Sequence, residues 1–146
     1  MRIFSNAFSD GGWIPALHSC SGADVSPSLE WSDAPAGTRS YVLIVDDPDA
    51  PKGTWLHWLL YDVPAKVHTL AQGARDAGVE GTNSFRRTGY GGPCPPPGGP
   101  HHYYFRLFAI DMESLGLKAG ATRSDVERAM AGHILSDAAC MGLFQA

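Results

Sequence analysis

The sequence predicts a mostly β fold with one helix near the C-terminus. Three observations lead there. Runs dense in β-forming residues occur at 41–45, 55–63 and 101–111. Turn residues crowd the stretches between them. Only one late segment combines helical spacing with a cap.

Along the chain, residues 12–37 carry Gly12, Pro15, Gly22, Pro27, Pro35 and Gly37 and show little helical periodicity. Leu29-Glu30-Trp31 alternates and precedes a turn at 33–37, so it reads as a short strand. Tyr41-Val42-Leu43-Ile44-Val45 is continuously apolar, as a strand buried on both faces would be. It runs into Asp46-Asp47-Pro48-Asp49-Ala50-Pro51, where two prolines cannot donate to a ladder. Trp55 to Val63 is a second strong strand, closed by Pro64, and His101 to Asp111 is a third. The strands at 55–63 and 101–111 are expected to pair with each other. Between them, residues 64–100 are rich in glycine and proline, yet Phe85 and Tyr90 favour an ordered loop. Ser124 with Glu127 three residues on forms a capping-box pattern. Val126, Ala129, Met130, His133 and Ile134 then share one helical face, predicting a helix that ends near 139–141, before Gly142.

The 146 residues are taken as a single domain, 1–146, long enough to bury a core without staples. The net charge of −4 argues against a nucleic-acid partner, which would call for a basic face. No run of residues is long and apolar enough to span a membrane, and the first twelve lack a signal peptide's apolar core, so a cytoplasmic location is expected. Cys20, Cys94 and Cys140 are odd in number and widely spaced, fitting neither a disulfide framework nor a zinc knuckle. They are expected to be reduced thiols that mostly serve packing.

Chemistry is concentrated in three places: the acids Asp46, Asp47 and Asp49, His57 in mid-strand, and His101-His102-Tyr103 after the proline-rich 91–100 segment. Each has a bland reading, the acids as turn residues and His57 as a satisfied strand histidine. Side chains alternate along a strand, so His101 and His102 point to opposite faces and at most one enters a given pocket. The parts permit three uses: metal coordination, general-base hydrolysis by a His–Asp pair, or anion binding by histidine, tyrosine and backbone N–H groups. A metal-dependent hydrolase using Asp47, His57 and His101 is the main alternative to binding, though no HExxH or HxH pair is present. A thiol enzyme using Cys94 with His101 is another, disfavoured because no helix N-terminus lies near to depress the thiol. No cofactor is called for.

Asp47-Pro48-Asp49-Ala50-Pro51, Trp55-x-His57-Trp58, Gly92-Pro93-x-Pro95-Pro96 and His101-x-Tyr103 together resemble the signature regions of the phosphatidylethanolamine-binding protein family. The shorter bacterial and archaeal, Raf-kinase-inhibitor-like branch is the nearer likeness. Flanking segments agree: 8–15, 26–31, 35–38, and 132–135, placed in the last helix. The resemblance implies a central antiparallel sheet packed on a smaller second sheet. It implies a non-enzymatic binding protein with a small pocket for anions, phosphate groups and phospholipid head groups. It also implies a possible protein-kinase partner and a possible homodimer. The pocket residues carry over as Asp47, Asp49, His57, His101 and Tyr103, with Pro51, Trp55, Gly92 and Pro93 as wall. His102 stands where the family usually has arginine, which makes the outer edge of the pocket pH-dependent.

Two expectations complete the reading. Ligand affinity should fall as pH rises through the histidine range, because imidazolium attracts an anion. The reversal between Asp47 and Trp55 should contain a cis bond before Pro51, as the family resemblance also implies.

Overall fold

The computed structural model describes residues 1–146. Its strands are β1 (Arg2–Phe4), β2 (Leu29–Ser32), β3 (Ser40–Asp47), β4 (Trp55–Pro64), β5 (Thr69–Leu70), β6 (Val79–Glu80), β7 (His101–Ile110) and β8 (Ile134–Phe144), with the helix α1 (Arg123–Met130) before the last. A five-stranded sheet runs β6-β4-β3-β7-β8, and a three-stranded sheet runs β1-β2-β5. Every pairing within them is antiparallel.

The larger sheet is the middle layer, which explains the unbroken apolar run of β3. Tyr41, Leu43 and Val45 point one way, into a cluster with Trp58, Tyr103 and Phe105 that meets Ile3, Leu29, Trp31 and Leu70 of the small sheet. Val42 and Ile44 point the other way, to Leu59, Tyr61 and Ile110, and are covered by Val126 and Met130 of α1. The same alternation sends Asp47 and Asp46 to opposite faces. On the helix side Asp46 is held by Arg106 at 3.0 Å and Arg123 at 2.9 Å. That pairing ties α1 to the sheet and compensates a buried carboxylate.

Several expectations need correction. The strands at 55–63 and 101–111 are not neighbours, because β3 lies between them and pairs with both. The helix is shorter than its spacing suggested. Its cap is Thr122, which accepts the Asp125 N–H while Asp125 accepts the Thr122 N–H, so the box sits two residues before the Ser124 box. It ends at Met130, Gly132 takes φ +81°, and the chain then leaves as β8, so 132–135 are turn and strand. The unpaired edge of β7 claims this segment along its whole length, from His101 against Phe144 to Ile110 against Ile134. Tertiary pairing outweighs local helical preference there.

No peptide bond in the chain is cis. The 48–54 reversal is made instead by an Asx turn, in which Asp47 Oδ1 accepts the Asp49 N–H at 2.8 Å. A second turn closes from the Gly53 N–H to the Ala50 carbonyl at 3.1 Å. Gly53 at φ +105° supplies the left-handed backbone that a cis proline was expected to replace. Cys20 and Cys94 are joined in a disulfide across 74 residues of sequence, against the expectation of free thiols. Their loops are already docked by a Cys20 N–H to Pro93 carbonyl bond of 3.0 Å, a proximity that wide spacing conceals. Cys140 is free and buried in the core.

Candidate functional site

A cavity of about 250 Å³ opens where β3 ends and β4 and β7 begin. Its lining includes Asp47 from β3, Trp55 and His57 from β4, and His101 and Tyr103 from β7. His101 and Tyr103 share a face by alternation, and Asp47 lies on that same face. His57 reaches it by a β-bulge. Val45 pairs with Trp58 but Asp46 pairs with Leu56, so His57 is the unopposed extra residue. The bulge turns His57 and Trp58 to the cavity side together, while Leu56 stays on the helix side. The two histidines thus meet over Tyr103 without their strands pairing. The His57 and Tyr103 rings lie 5.2 Å apart, and those of His101 and Tyr103 6.5 Å.

The second wall is the loop 83–96. Phe85 packs edge-on to Trp55 and His57, and Cys94, Pro95 and Pro96 close the rim. Gly91 fastens this loop to β4 twice. Its N–H donates to the His57 carbonyl at 2.9 Å, and its own carbonyl accepts from His57 Nδ1 at 2.7 Å. A Cβ on Gly91 would stand 2.5 Å from the Phe85 ring. On its far side the loop is docked to residues 18–24. Tyr90 donates its hydroxyl to the His18 carbonyl, and the Gly92 N–H donates to Asp24 Oδ1 at 2.7 Å.

Polar groups at the cavity are few and strongly constrained. Asp47 is buried and accepts from His101 Nδ1 at 2.7 Å through Oδ2. Burial pushes the His57 ring below its ordinary pKa, outweighing the Gly91 carbonyl and the Asp47 carboxylate, which favour the charged form. His57 is therefore neutral at pH 7. Burial, with Asp47 alongside, holds the Tyr103 phenol far above its usual range, so it stays protonated. The Tyr103 hydroxyl is fully buried beside the Asp47 carboxylate and makes no hydrogen bond of good geometry with the protein. Such an orphan at a cavity wall is a donor waiting for an acceptor.

Six of the nine residues expected at the pocket line it: Asp47, Pro51, Trp55, His57, His101 and Tyr103. Asp49 does not. It pairs outside with His102, whose Nδ1 and backbone N–H reach Asp49 Oδ2 at 2.6 and 2.8 Å. Hydrogen bonds from His102 lower the Asp49 pKa. Gly92 and Pro93 are buried behind the wall. Ala50, Phe85, Cys94, Pro95 and Pro96 also line the cavity; sequence reasoning brought Cys94 to His101 only in the thiol-enzyme alternative and did not place the other four. The prolines stood inside a quoted motif, whereas Phe85 carried no signal beyond being an aromatic in a loop. No group of three or more His, Cys, Asp or Glu side chains is arranged to hold a metal ion.

Comparison with known proteins agrees with this architecture. Residues 4–145 match the family described as phosphatidylethanolamine-binding protein. A UPF0098 protein of Aquifex aeolicus is 48% identical over 99% of this chain and 88% of its own length. One from Methanothermobacter thermautotrophicus is 42% identical over 99% of each. Among solved structures, CT736 of Chlamydia trachomatis, described as a homolog of phosphatidylethanolamine-binding protein, superposes with a TM-score of 0.94 at 41% identity, over 99% of this chain and 97% of its own. Escherichia coli YbcL, described as a new member of the mammalian family, gives 0.92 at 31%, over 99% and 98%. No helix is long and apolar enough to cross a membrane.

Proposed function

The chain belongs to the phosphatidylethanolamine-binding protein family, and from that premise we propose that its Asp47/His57/His101/Tyr103 cavity binds an anionic head group of the phosphate-ester type, without catalysis. The observation that supports this most is the Tyr103 hydroxyl, buried, protonated and unpartnered at the cavity wall. Around it the walls are apolar and rigid: Trp55, Phe85 and prolines at 51, 95 and 96. They suit the organic part of an ester and require little ordering when it binds. A phospholipid head group and a phosphorylated side chain of a protein kinase or its target would offer the same chemistry.

Binding is favoured over catalysis because the lining contains no serine, threonine or free thiol; Cys94 is spent in a disulfide. The hydrolase alternative would need Asp47 as a metal ligand, but both its oxygens already accept hydrogen bonds, from Asp49 and His101. Burial works against a charged His57 ring, so this histidine contributes less to anion attraction than the expectation of a histidine-charged pocket assumes. A cytoplasmic location is compatible with the Cys20–Cys94 bond only in an interior oxidising enough to keep it closed, as in hyperthermophiles.

Calorimetric titration with phenyl phosphate tests the reading. Tyr103→Phe removes one donor to a charged group, a loss of about 1.5–3 kcal/mol, so affinity should drop roughly 10- to 100-fold with an unchanged melting temperature. Equal affinity in the variant, or no binding by the wild type, would overturn it.

A further inference from the structure

The hydrogen-bonding roles of the cavity groups can be assigned from their partners. The Gly91 carbonyl can only accept, so the His57 Nδ1 that meets it at 2.7 Å carries the hydrogen. In a neutral imidazole the second nitrogen then holds a lone pair and no hydrogen. Nδ1 is the His57 nitrogen bonded within the protein, so Nε2 is the nitrogen left to the cavity that the ring lines. The Asp47 carboxylate likewise fixes the hydrogen of His101 on Nδ1. The cavity therefore offers one donor, the Tyr103 hydroxyl, and, in the neutral ring that burial favours, one acceptor, His57 Nε2. His101 Nε2 can serve in either sense.

A fully ionised tetrahedral anion has only acceptor oxygens, and one of them would sit against the His57 lone pair. A phosphate monoester carrying one proton matches the inventory, because its oxygens accept from Tyr103 while its P–OH donates to His57 Nε2. Resting on the phosphate-ester reading above, we infer that the site selects the proton-bearing form of its anion, and that His57 Nε2 is the specificity-determining atom that excludes sulfate esters and sulfonates. A site built around a ligand hydroxyl rejects analogues that lack it far more strongly than an apolar pocket rejects a change of shape.

No other group facing His57 takes over this role. From β3 comes Asp47, while Asp46 lies on the opposite face, paired with Arg106 and Arg123; from β7 come His101 and Tyr103; from the 83–96 loop come Phe85 and the Gly91 and Gly92 backbone; and from β4 itself comes Trp55. The Asp47 carboxylate, which lines the cavity, disfavours a fully ionised anion further.

Phenyl phosphate and phenyl sulfate separate the possibilities, since they share a shape and only the phosphate has a second ionisation, at about pH 6. At pH 6 the phosphate should bind at least tenfold more tightly than the sulfate. Above pH 6.5 its affinity should fall close to tenfold per pH unit, with about one proton taken up per ligand when calorimetry is repeated in buffers of different ionisation heat. His57→Asn keeps a donor for the Gly91 carbonyl and removes the Nε2 acceptor, so it should bring the two affinities within about threefold. Equal affinities in the wild type would overturn the inference while leaving the anion pocket standing. Failure of both probes to bind would overturn the pocket reading itself. Should the Asn variant not fold, the wild-type pair of titrations decides alone.

Discussion

His57 shows what one residue's surroundings decide. Its neighbours in sequence marked it as unusual, but its charge state depends on burial behind Phe85 and on the Gly91 carbonyl, neither of which is visible at positions 55–58. The consequence for stability has a definite sign. The unfolded ring titrates near ~6.5, and the folded ring titrates lower. Between those two values the unfolded state binds more protons, so this group makes stability rise with pH and lowers it as the solution is acidified below about pH 6.5. Glu80 works oppositely. Burial raises its carboxyl, so its contribution is fully present below the unfolded value and is lost as pH rises through the folded one. The difference in unfolding free energy between the wild type and His57→Asn isolates the histidine. It should shrink between pH 7 and pH 5 in urea denaturation, and a constant difference would show that the ring is not held neutral.

The elements were legible to very different degrees. Strands β2, β3, β4 and β7 announced themselves through apolar patterning and proline stops, as did the turn carrying Asp47. The bulge at His57 left no trace, because an extra residue shows only against a partner strand. Strand β8 was disguised by apolar spacing that continues from α1 past Gly132, and only the open edge of β7 reveals what claims it. The 83–96 loop lies within the 64–100 segment that Phe85 and Tyr90 mark as ordered, yet nothing in the sequence shows its docking. That docking depends on Gly92, where a Cβ would lie 2.1 Å from the His18 carbonyl oxygen and 2.6 Å from Asp24 Oδ1. A backbone oxygen cannot step aside as a side-chain tip can. Gly92→Ala should therefore cost about 1–3 kcal/mol by overpacking, seen in urea denaturation. It should also weaken phenyl phosphate binding by shifting the wall that carries Pro95 and Pro96.

For the whole molecule, the disulfide is the largest feature that the sequence concealed. Cys20–Cys94 closes 74 residues, a span that contains β2 to β6. Restricting that much unfolded chain is worth about 2–4 kcal/mol. At ~2–4 °C per kcal/mol for a chain of this size, reduction or Cys20→Ser/Cys94→Ser should lower the melting temperature by about 4–16 °C. The docked loops retain the Tyr90, Cys20 and Gly92 hydrogen bonds, so the fold itself should persist, with the far-ultraviolet circular dichroism of the strands unchanged.

The position of β3 between β4 and β7 also determines when the cavity comes into being. Pairing β3 with β4 requires only the short reversal at 48–54, a local event. Pairing it with β7 brings Asp47 to His101 across 54 residues of sequence, and loop-closure entropy makes such a contact late. The cavity straddles that seam, so the β3–β4 hairpin alone does not contain it. In interrupted refolding, competence to bind phenyl phosphate should appear with the slowest cooperative phase and never ahead of it. On the proposed function, phenyl phosphate should in turn slow unfolding, because separating β7 from β3 dismantles the cavity.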